Sequence, residues 1–244
     1  MINHLTHINE FKELLENYAV SENGKKILQK TKLVLFVGPS SSGRNTIINE
    51  LLKTGDYHQI VSDTTRKPRS NDGVLEQNGR EYWFRDESQM LAEIRAGELL
   101  EAAVIHNQQV SGISIREIKS AEKENKIAIN EIEVVGADNI FDAKPDTMFF
   151  FIVPPGFNEW ITRMKIRGTL PADEMRRRLE SAVEEIQIAL EREYYWFVVN
   201  ETFLDTTRDV KQMIDNHAIL PERHQQGRQV ATQLLADIKK HLAE

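Results

Sequence analysis

"VGPSSSGRNT", residues 37–46, lies between the apolar run "KLVLF" and the segment "IINELLK". An apolar strand, a glycine-bounded loop and a helix start are together typical of a loop that binds phosphate at a helix N-terminus. The motif requires G-x-x-x-x-G-K-[ST], and Gly38 and Gly43 have the required separation. Arg44 stands where the motif has its lysine, and Asn45 stands where it has the hydroxyl that contacts magnesium. The stretch therefore predicts a phosphate-binding loop in which two of the motif's side chains have changed.

The cradle of such a loop consists of backbone N–H groups, which depend on glycines rather than on a particular side chain. We therefore expect phosphate binding to persist. Arg44 supplies a positive charge on a longer, planar side chain, and the amide oxygen of Asn45 is a weaker magnesium ligand than a hydroxyl. A charge misplaced by ~1 Å can cost on the order of a hundredfold in rate, so catalysis is the open question. The predicted phosphate-contacting residues are Gly38, Ser40, Ser41, Ser42, Gly43, Arg44, Asn45 and Thr46.

Length, composition and net charge limit the classes of protein to which the chain can belong. The chain has 244 residues, of which 40% are apolar and 28% are charged, which predicts one large α/β domain or two small ones. It contains no cysteine, which excludes disulfides and thiolate metal sites. The net charge of −7 argues against a general nucleic-acid binder. The start "MINHLTHINEFKELL" has no apolar leader and no run reaches ~18 apolar residues, so we expect a cytoplasmic protein that does not contact membranes.

Four apolar runs alternate with helical patterns along the chain. "KLVLFV", "KIAINEI", "TMFFFIV" and "YWFVVN" predict buried strands, and alternation with helices indicates a parallel sheet covered on both faces. Residues 59–113 interrupt the alternation and predict a strand-rich insertion, while "SENGKK" predicts a turn. The predicted helices span residues 8–18, 43–53, 86–96, 114–124, 156–166, 172–192 and 228–242.

Two further groups of polar residues suggest chemistry. In "SDTTRKPRS", Arg66 and Arg69 are three apart, and "GREYWF" adds the phenol of Tyr82. Two guanidiniums and a phenol fit a phosphate monoester, although two arginines alone are more often a solvated basic loop. "NEIEVVG" places Glu131 and Glu133 at the end of a predicted strand, where residues two apart face the same way. Acidic residues beside a phosphate loop commonly order magnesium, and solvated strand-end acids are the alternative.

At this point the sequence resembles the guanylate kinases. "VGPSSSG", "SDTTRKPR", "NGREYWF", "GELLEAA", "EIEVVGA", "VPPGFNEWITRMKIRGT" and "VVN" occur in the order and roughly the spacing of that family, over about residues 32–215. The resemblance implies a P-loop kinase fold, with a parallel sheet core flanked by helices, a monophosphate-binding insertion and a helical lid. It implies these ranges: an N-terminal helical extension 1–30, a kinase-like domain 31–215 with the insertion at 59–113 and the lid at 156–180, and a C-terminal helical extension 216–244.

The resemblance also implies roles for individual residues. The residues implied to bind GMP are Ser62, Arg66, Arg69, Tyr82, Glu101 and Glu133, of which Ser62 and Glu101 contact the base. The residues implied to act in catalysis are Arg44, Arg163, Arg167 and Arg178, with Gly168 as a lid hinge. Asn200 matches a position that contacts the adenine of ATP, and Mg²⁺ accompanies the ATP near Asn45 and Glu131. The turn "NQQVSGIS", around Gly112, departs from the family's "YYGT" turn, which puts one phosphate ligand and one base ligand in doubt.

Two functions remain open from the sequence alone. The first is an enzyme that transfers the γ-phosphoryl group of ATP to a nucleoside monophosphate, GMP or dGMP, or to another phosphate monoester. The second is a binding module that resembles the kinase-like domains of scaffold proteins and uses the monophosphate site to hold a phosphorylated partner. The altered loop favours the module, and the lid arginines and the acidic pair favour the enzyme. The sequence leaves the oligomeric state open, including a homodimer formed through the terminal helices.

Overall fold

The computed structural model of the protein describes residues 5–71, 73–105, 107–166 and 171–243. Within these residues, the α-helices are α1 (Ile8–Glu16), α2 (Glu22–Lys30), α3 (Arg44–Leu52), α4 (Glu87–Ala96), α5 (Ile115–Glu124), α6 (Val134–Ala143), α7 (Phe157–Ile166), α8 (Ala172–Glu191), α9 (Phe203–Asn216) and α10 (Pro221–Ala243). The strands are β1 (Leu33–Val37), β2 (Tyr57–Gln59), β3 (Asp63–Thr64), β4 (Ser70–Asn71), β5 (Val74–Leu75), β6 (Trp83–Phe84), β7 (Leu99–Ile105), β8 (Gln109–Ser114), β9 (Ile127–Glu131), β10 (Met148–Val153) and β11 (Tyr195–Val199).

The larger sheet has five strands in the order β11-β10-β1-β9-β2. Strand β10 pairs in parallel with β1 on one side and with β11 on the other, and Phe150 is opposite Phe36 in the first of these ladders. Every residue of β1 and β10 is buried, as expected for strands covered on both faces. The predicted α/β class with a parallel sheet is confirmed, and all four apolar runs form strands of this sheet.

Residue contacts divide the chain into two units, of which the one with residues 34–56, 129–135 and 148–244 holds the predicted phosphate loop. Its core includes the buried strands β1 and β10, together with β11 and the helices α9 and α10 that pack on them. Helix α10 packs against β11 and α8 and buries Ala231, Leu234 and Ile238. This helix begins at Pro221, earlier than the predicted 228, because the chain stays helical through Gly227, which fits closely against the backbone of Phe197.

The other unit contains the described parts of residues 1–33, together with 57–128 and 136–147. A second sheet, in the order β6-β3-β8-β7, lies in the predicted strand-rich insertion. Helices α1 and α4 pack against β7, and Phe11, Met90, Ile94 and Leu99 share one apolar cluster. The N-terminal helix therefore belongs to the core of this unit. The domain ranges themselves stay a prediction.

Three helices were not expected from the sequence. "SENGKK" is not a turn but the start of α2, because the Ser21 hydroxyl accepts a hydrogen bond from the Gly24 N–H and caps the helix. Helices α6 and α9 were also missed, although α9 buries Val210, Met213 and Ile214 at helical spacing. None of the helices in the described chain is long and apolar enough to cross a lipid bilayer.

Candidate functional site

The predicted phosphate loop connects the end of β1 to the start of α3. Gly38 has φ +137° and Gly43 has φ +99°, both in the region that favours glycine. A Cβ atom at Gly38 would collide with the backbone carbonyl of Ile152, and one at Gly43 would collide with the side-chain amide of Asn200. Both glycines are therefore required by conformation and by space. Among the described residues no side chain caps α3, so the N–H groups of its first turn are available to an anion.

Arg44 is held loosely against the strand beside the loop. Its Nε atom lies 3.5 Å from Oε2 of Glu131, and its Nη1 donates to the carbonyl oxygen of Ile132 at 3.4 Å. Both distances are long for charge-assisted contacts, which favour 2.7–2.9 Å. The arginine that replaces the motif's lysine therefore stays near the helix start without a tight partner among these contacts.

The acidic pair is arranged differently from the prediction. Strand β9 ends at Glu131, and Glu133 lies in the connection to α6 and is exposed. The rule that residues two apart in a strand share a face therefore does not apply to this pair, because the second residue is outside the strand. Glu131 faces Arg44, whereas Glu133 lies close enough to Glu185 of α8 to act on its pKa.

Glu185 is a carboxylate near this loop that sequence reasoning missed. Burial raises its pKa to about 7, Arg44 acts in the opposite direction, and Glu133 and Glu184 raise it further. Helix α8 buries Leu179, Ala182, Ile186 and Ala189, and Glu185 lies next to Ile186. A carboxyl group that titrates near neutral pH is therefore placed in the environment of Arg44.

Two of the three predicted lid arginines are described. Arg163 contacts Glu159 at 3.2 Å and donates to the carbonyl oxygen of Glu201 at 3.3 Å. Arg178 bonds Glu174 at 2.9 Å. Both are held by neighbours on or near their own helices, so their role toward a phosphoryl group stays a prediction. Arg167 lies outside the described residues, as does Gly168, the predicted hinge.

In the other unit, Arg66 has a carboxylate partner. The two oxygens of Glu76 accept hydrogen bonds from Nη1 and Nη2 of Arg66 at 2.5 and 2.9 Å, and Oε2 also accepts from the N–H of Arg69 at 2.8 Å. Arg66 stacks on the ring of Tyr82, with 4.6 Å from its Cζ atom to the ring centroid. The side chain of Arg66 lowers the pKa of Glu76 to about 2, so the carboxylate is ionised at neutral pH.

The structure thus brings together three of the predicted monophosphate ligands. Arg66 is 8% exposed, Tyr82 lies beneath its guanidinium, and Arg69 is exposed at the next turn of the chain. Glu76 was missed by sequence reasoning, although it is one of three acidic residues, with Asp72 and Glu81, between Arg69 and Tyr82. Its contacts hold Arg66 in one orientation and also reduce the net positive charge there.

Of the predicted base ligands, Ser62 lies directly before β3 and Glu101 lies on β7. The Ser62 carbonyl accepts a hydrogen bond from the N–H of Trp83. A Cβ atom at Gly136 would lie 3.2 Å from Oε2 of Glu101, so a side chain there would crowd this carboxylate. Gly112 pairs with Ala102, and a side chain at Gly112 would collide with the Glu101 carbonyl. The absence of a side chain at Gly136 therefore keeps space beside the Glu101 carboxylate, whereas Gly112 permits close approach of the backbone of Glu101.

Glu101 also lines a cavity of about 310 Å³. Tyr18 and Ala19, from the segment between α1 and α2, form one wall, and Asn139 and Asp142 of α6 form another. The hydroxyl of Tyr18 bonds both the N–H and the carbonyl of Leu99 on β7. The N-terminal segment, which the sequence prediction treated as an extension, is therefore next to the predicted base ligand.

Buried charges fix the strands that carry these ligands. Asp63 is fully buried and accepts from Nε of Arg85 at 2.6 Å and from Nη2 of Arg116 at 3.0 Å. Glu117 of α5 accepts from the N–H of Val61 and from the indole N–H of Trp83. Removing one partner of a buried pair is costly, so these contacts stabilise the strand geometry around Ser62.

The residues described contain no group of three or more His, Cys, Asp or Glu side chains arranged to hold a metal ion by themselves. The predicted magnesium ligands are the exposed Asn45 at the start of α3 and Glu131, whose carboxylate faces Arg44. One carboxylate and one amide oxygen fit the usual manner of Mg²⁺ binding, in which substrate phosphates and water supply the remaining ligands.

Comparison with known proteins identifies the family. The guanylate kinase family model matches residues 30–217. The chain belongs to the guanylate kinase family. It is 34% identical over 185 residues to the guanylate kinase of Corynebacterium diphtheriae, with 75% of this chain and 94% of that one covered. It is 32% identical over 190 residues to the guanylate kinase of Clostridioides difficile, with 78% and 89% covered.

A solved structure supports the fold. The crystal structure of guanylate kinase from Anaplasma phagocytophilum matches with a TM-score of 0.56 and 24% identity, over 79% of this chain and 88% of that chain. The resemblance stated from the sequence is thus confirmed. The family match begins at residue 30 and ends at 217, so it excludes α1 and α10, which lie on either side of these residues.

Proposed function

We propose that this guanylate kinase family member is a nucleoside monophosphate kinase that transfers the γ-phosphoryl group of ATP to GMP. The observation that carries the proposal is the grouping of Arg66, Arg69 and Tyr82, in a chain of this family that also has a glycine-hinged phosphate loop. The names of the relatives support ATP and GMP as substrates. In the reaction, a phosphate oxygen of GMP attacks the γ-phosphorus, the bond to the bridging oxygen breaks, and ADP leaves.

The phosphate loop binds ATP mainly through its main chain. The strained conformations at Gly38, Ser41 and Gly43 support this role, because left-handed residues turn successive N–H groups toward one point. Arg44 supplies the charge that the motif's lysine would supply. Arg163 and Arg178 neutralise charge that spreads over the transferred group.

The monophosphate is held by side chains. Arg66 and Arg69 bind its phosphate oxygens, and the phenol of Tyr82 adds a hydrogen bond. Glu101 accepts from N1–H and from the exocyclic amine of guanine, a pair of donors that adenine does not offer. The absence of a side chain at Gly136, beside this carboxylate, supports this role.

Magnesium accompanies ATP, and its chemistry is to neutralise the charge of the β- and γ-phosphate oxygens. Glu131 and Asn45 would hold it or its water shell. Arg44, which now contacts Glu131 at a long distance, is free to reorient toward the phosphates because neither of its contacts described above is tight.

The direct test is formation of GDP from Mg-ATP and GMP by the purified protein, compared with AMP, CMP and UMP as acceptors. We expect GDP and little product from the other acceptors. Arg44→Lys should raise kcat by about threefold, because a compact ammonium on a flexible stem fits the position that the motif assigns to lysine. Lys53→Arg, at the end of the same helix, is the matched control and should leave kcat unchanged. Absence of turnover with every monophosphate, together with GMP binding that Arg66→Ala abolishes, would replace the enzyme with the binding module.

A further inference from the structure

A phosphate loop works only if its carbonyl groups point away from the anion, since an oxygen turned toward phosphate repels it. Glycine permits the required backbone angles, but permissive angles alone do not hold a loop in one conformation. The carbonyl oxygens of Ser40 and Ser42 both accept hydrogen bonds from buried side chains far away in the sequence. These two contacts are the starting point for the inference.

The first donor is Trp160 of α7. Its indole Nε1–H donates to the Ser40 carbonyl oxygen at 2.7 Å, and the residue is 0% exposed. An indole N–H is a donor only, and a buried one needs a partner. The ring therefore fixes the Ser40 carbonyl on the buried side of the loop, immediately before Ser41, whose φ of +64° is unusual for a residue other than glycine.

The second donor is Asn200, the residue that follows β11. Its Nδ2 donates to the Ser42 carbonyl oxygen at 2.8 Å, and Asn200 is 4% exposed. Its Oδ1 is also buried, with no hydrogen-bond partner in the described residues. The same amide fills the space beside Gly43 that a side chain there would need. An amide enclosed in this way contacts the loop backbone, and its oxygen has no open path to an adenine.

We infer that Trp160 and Asn200 are positioning residues for the phosphate loop, which hold the Ser40 and Ser42 carbonyls on the buried side so that the N–H groups face the polyphosphate. The inference rests on the proposed binding of ATP at this loop. It gives Asn200 a different role from the adenine contact that the family resemblance implies. It also gives a role to Trp160, which lies in the stretch "VPPGFNEWITRMKIRGT" but was given no role by the family resemblance.

The two hydrogen bonds also account for the tolerance of this loop to its changed side chains. Arg44 and Asn45 lie after Gly43, outside the part of the loop that the two donors hold. Because that part keeps its shape through contacts from α7 and from the end of β11, changes at positions 44 and 45 leave the main-chain cradle intact.

The test measures binding of inorganic tripolyphosphate and of ATP, each without GMP, by titration calorimetry on the full chain. Trp160→Phe keeps an aromatic ring and removes the donor. We expect it to lower the affinity for both ligands by about tenfold, because that factor corresponds to the loss of one hydrogen bond that orders a buried group. GMP affinity should stay within twofold. Trp83→Phe is the matched control, because it also removes an indole hydrogen bond, to Glu117, but in the other unit. It should leave tripolyphosphate affinity unchanged.

Asn200→Leu keeps the approximate shape of the side chain, removes the donor and adds no charge. We expect the affinities for tripolyphosphate and for ATP to fall by the same factor, about tenfold or more. If the variant at position 200 loses affinity for ATP and not for tripolyphosphate, Asn200 contacts the adenine and the inference about this residue is overturned. If Trp160→Phe lowers only the melting temperature and leaves both affinities unchanged, the residue is structural and the inference is overturned. Failure of the unmodified protein to bind tripolyphosphate would instead overturn the proposed ATP site along with the inference.

A second measurement needs no change at position 160. In a Trp83→Phe/Trp196→Phe background, Trp160 is the remaining tryptophan of the chain. Tripolyphosphate binding at the loop polarises the Ser40 carbonyl that accepts from the indole, so we expect a shift or quenching of the emission that saturates with ligand. An emission spectrum that stays constant while calorimetry shows binding would contradict a connection between Trp160 and the loop.

Discussion

The two predicted phosphate sites of this protein are built on different principles. In the loop before α3, the anion is assigned to backbone N–H groups, and the side chains of Trp160 and Asn200 lie behind the loop and bond its carbonyls. In the other unit, which holds the predicted monophosphate site, the ligands are the side chains of Arg66, Arg69 and Tyr82 themselves.

The difference explains which sequence changes each site tolerates. A main-chain cradle depends on glycines and on buried supports, so Arg44 and Asn45 can replace motif residues without removing it. A side-chain site depends on the identity and orientation of each ligand, and here Glu76 orients Arg66. We therefore expect single substitutions to change the binding of GMP more than the binding of ATP.

The largest effect is expected at Arg66. Arg66→Ala removes a bidentate donor and leaves the Glu76 carboxylate without its partner in the site, where it repels phosphate. We expect kcat/KM for GMP to fall about a thousandfold, with the KM for ATP unchanged. Steady-state kinetics with each substrate varied in turn measures both values.

Lys67→Ala is the control for Arg66, because Lys67 is exposed and only its backbone carbonyl contacts the Arg66 side chain. It should leave kcat/KM for GMP within twofold of the unmodified enzyme. An equal loss in both variants would mean that general positive charge, and not the oriented guanidinium, attracts GMP.

The phosphate-loop unit should respond to pH near neutrality through Glu185. Burial raises its pKa to about 7 from 4.5, so the folded protein holds this proton more tightly than the unfolded chain does. The associated stability is fully present below about pH 4.5 and is lost as the pH rises through 7. Glu185→Gln should therefore gain stability relative to the unmodified protein as the pH rises from 5 to 8, by up to about 3 kcal/mol.

Chemical denaturation at pH 5, 6.5 and 8 tests this expectation, with Glu191→Gln as the control at an exposed position at the end of the same helix. For the control, the difference in free energy of unfolding from the unmodified protein should not increase with pH. A difference between Glu185→Gln and the unmodified protein that is the same at all three values would show that Glu185 does not titrate in this range.

The Arg66–Glu76 ion pair should keep its charges in the same pH range, because Arg66 lowers the pKa of Glu76 to about 2. Glu76→Gln removes the charge that orients Arg66 and should raise the KM for GMP about tenfold while leaving kcat and the KM for ATP nearly unchanged. Glu81→Gln, in the same segment, is the control. Tighter GMP binding in Glu76→Gln would mean that the carboxylate competes with phosphate for Arg66.

Much of the fold was predictable from local sequence. Apolar runs without polar interruption identified the strands of the parallel sheet, and periodicity identified most helices, with ends within one to three residues except for α10. Helix α2 was missed because "SENGKK" has the composition of a turn, and its helix is decided by the Ser21 cap and by burial of Ile27 and Leu28. The site was predictable where a motif is contiguous, as in the loop from Gly38 to Thr46.

The residues that support the two sites were not predictable in this way. Trp160 bonds the loop across 120 positions of sequence and Asn200 across 158. Local patterns determined the strands, most of the helices, the glycine-bounded loop and the arginine pair, because each depends on neighbours within a few residues. The partners of the Ser40 and Ser42 carbonyls were decided by packing alone, because a hydrogen bond between distant residues exists only when the folded chain brings donor and acceptor to the same buried place.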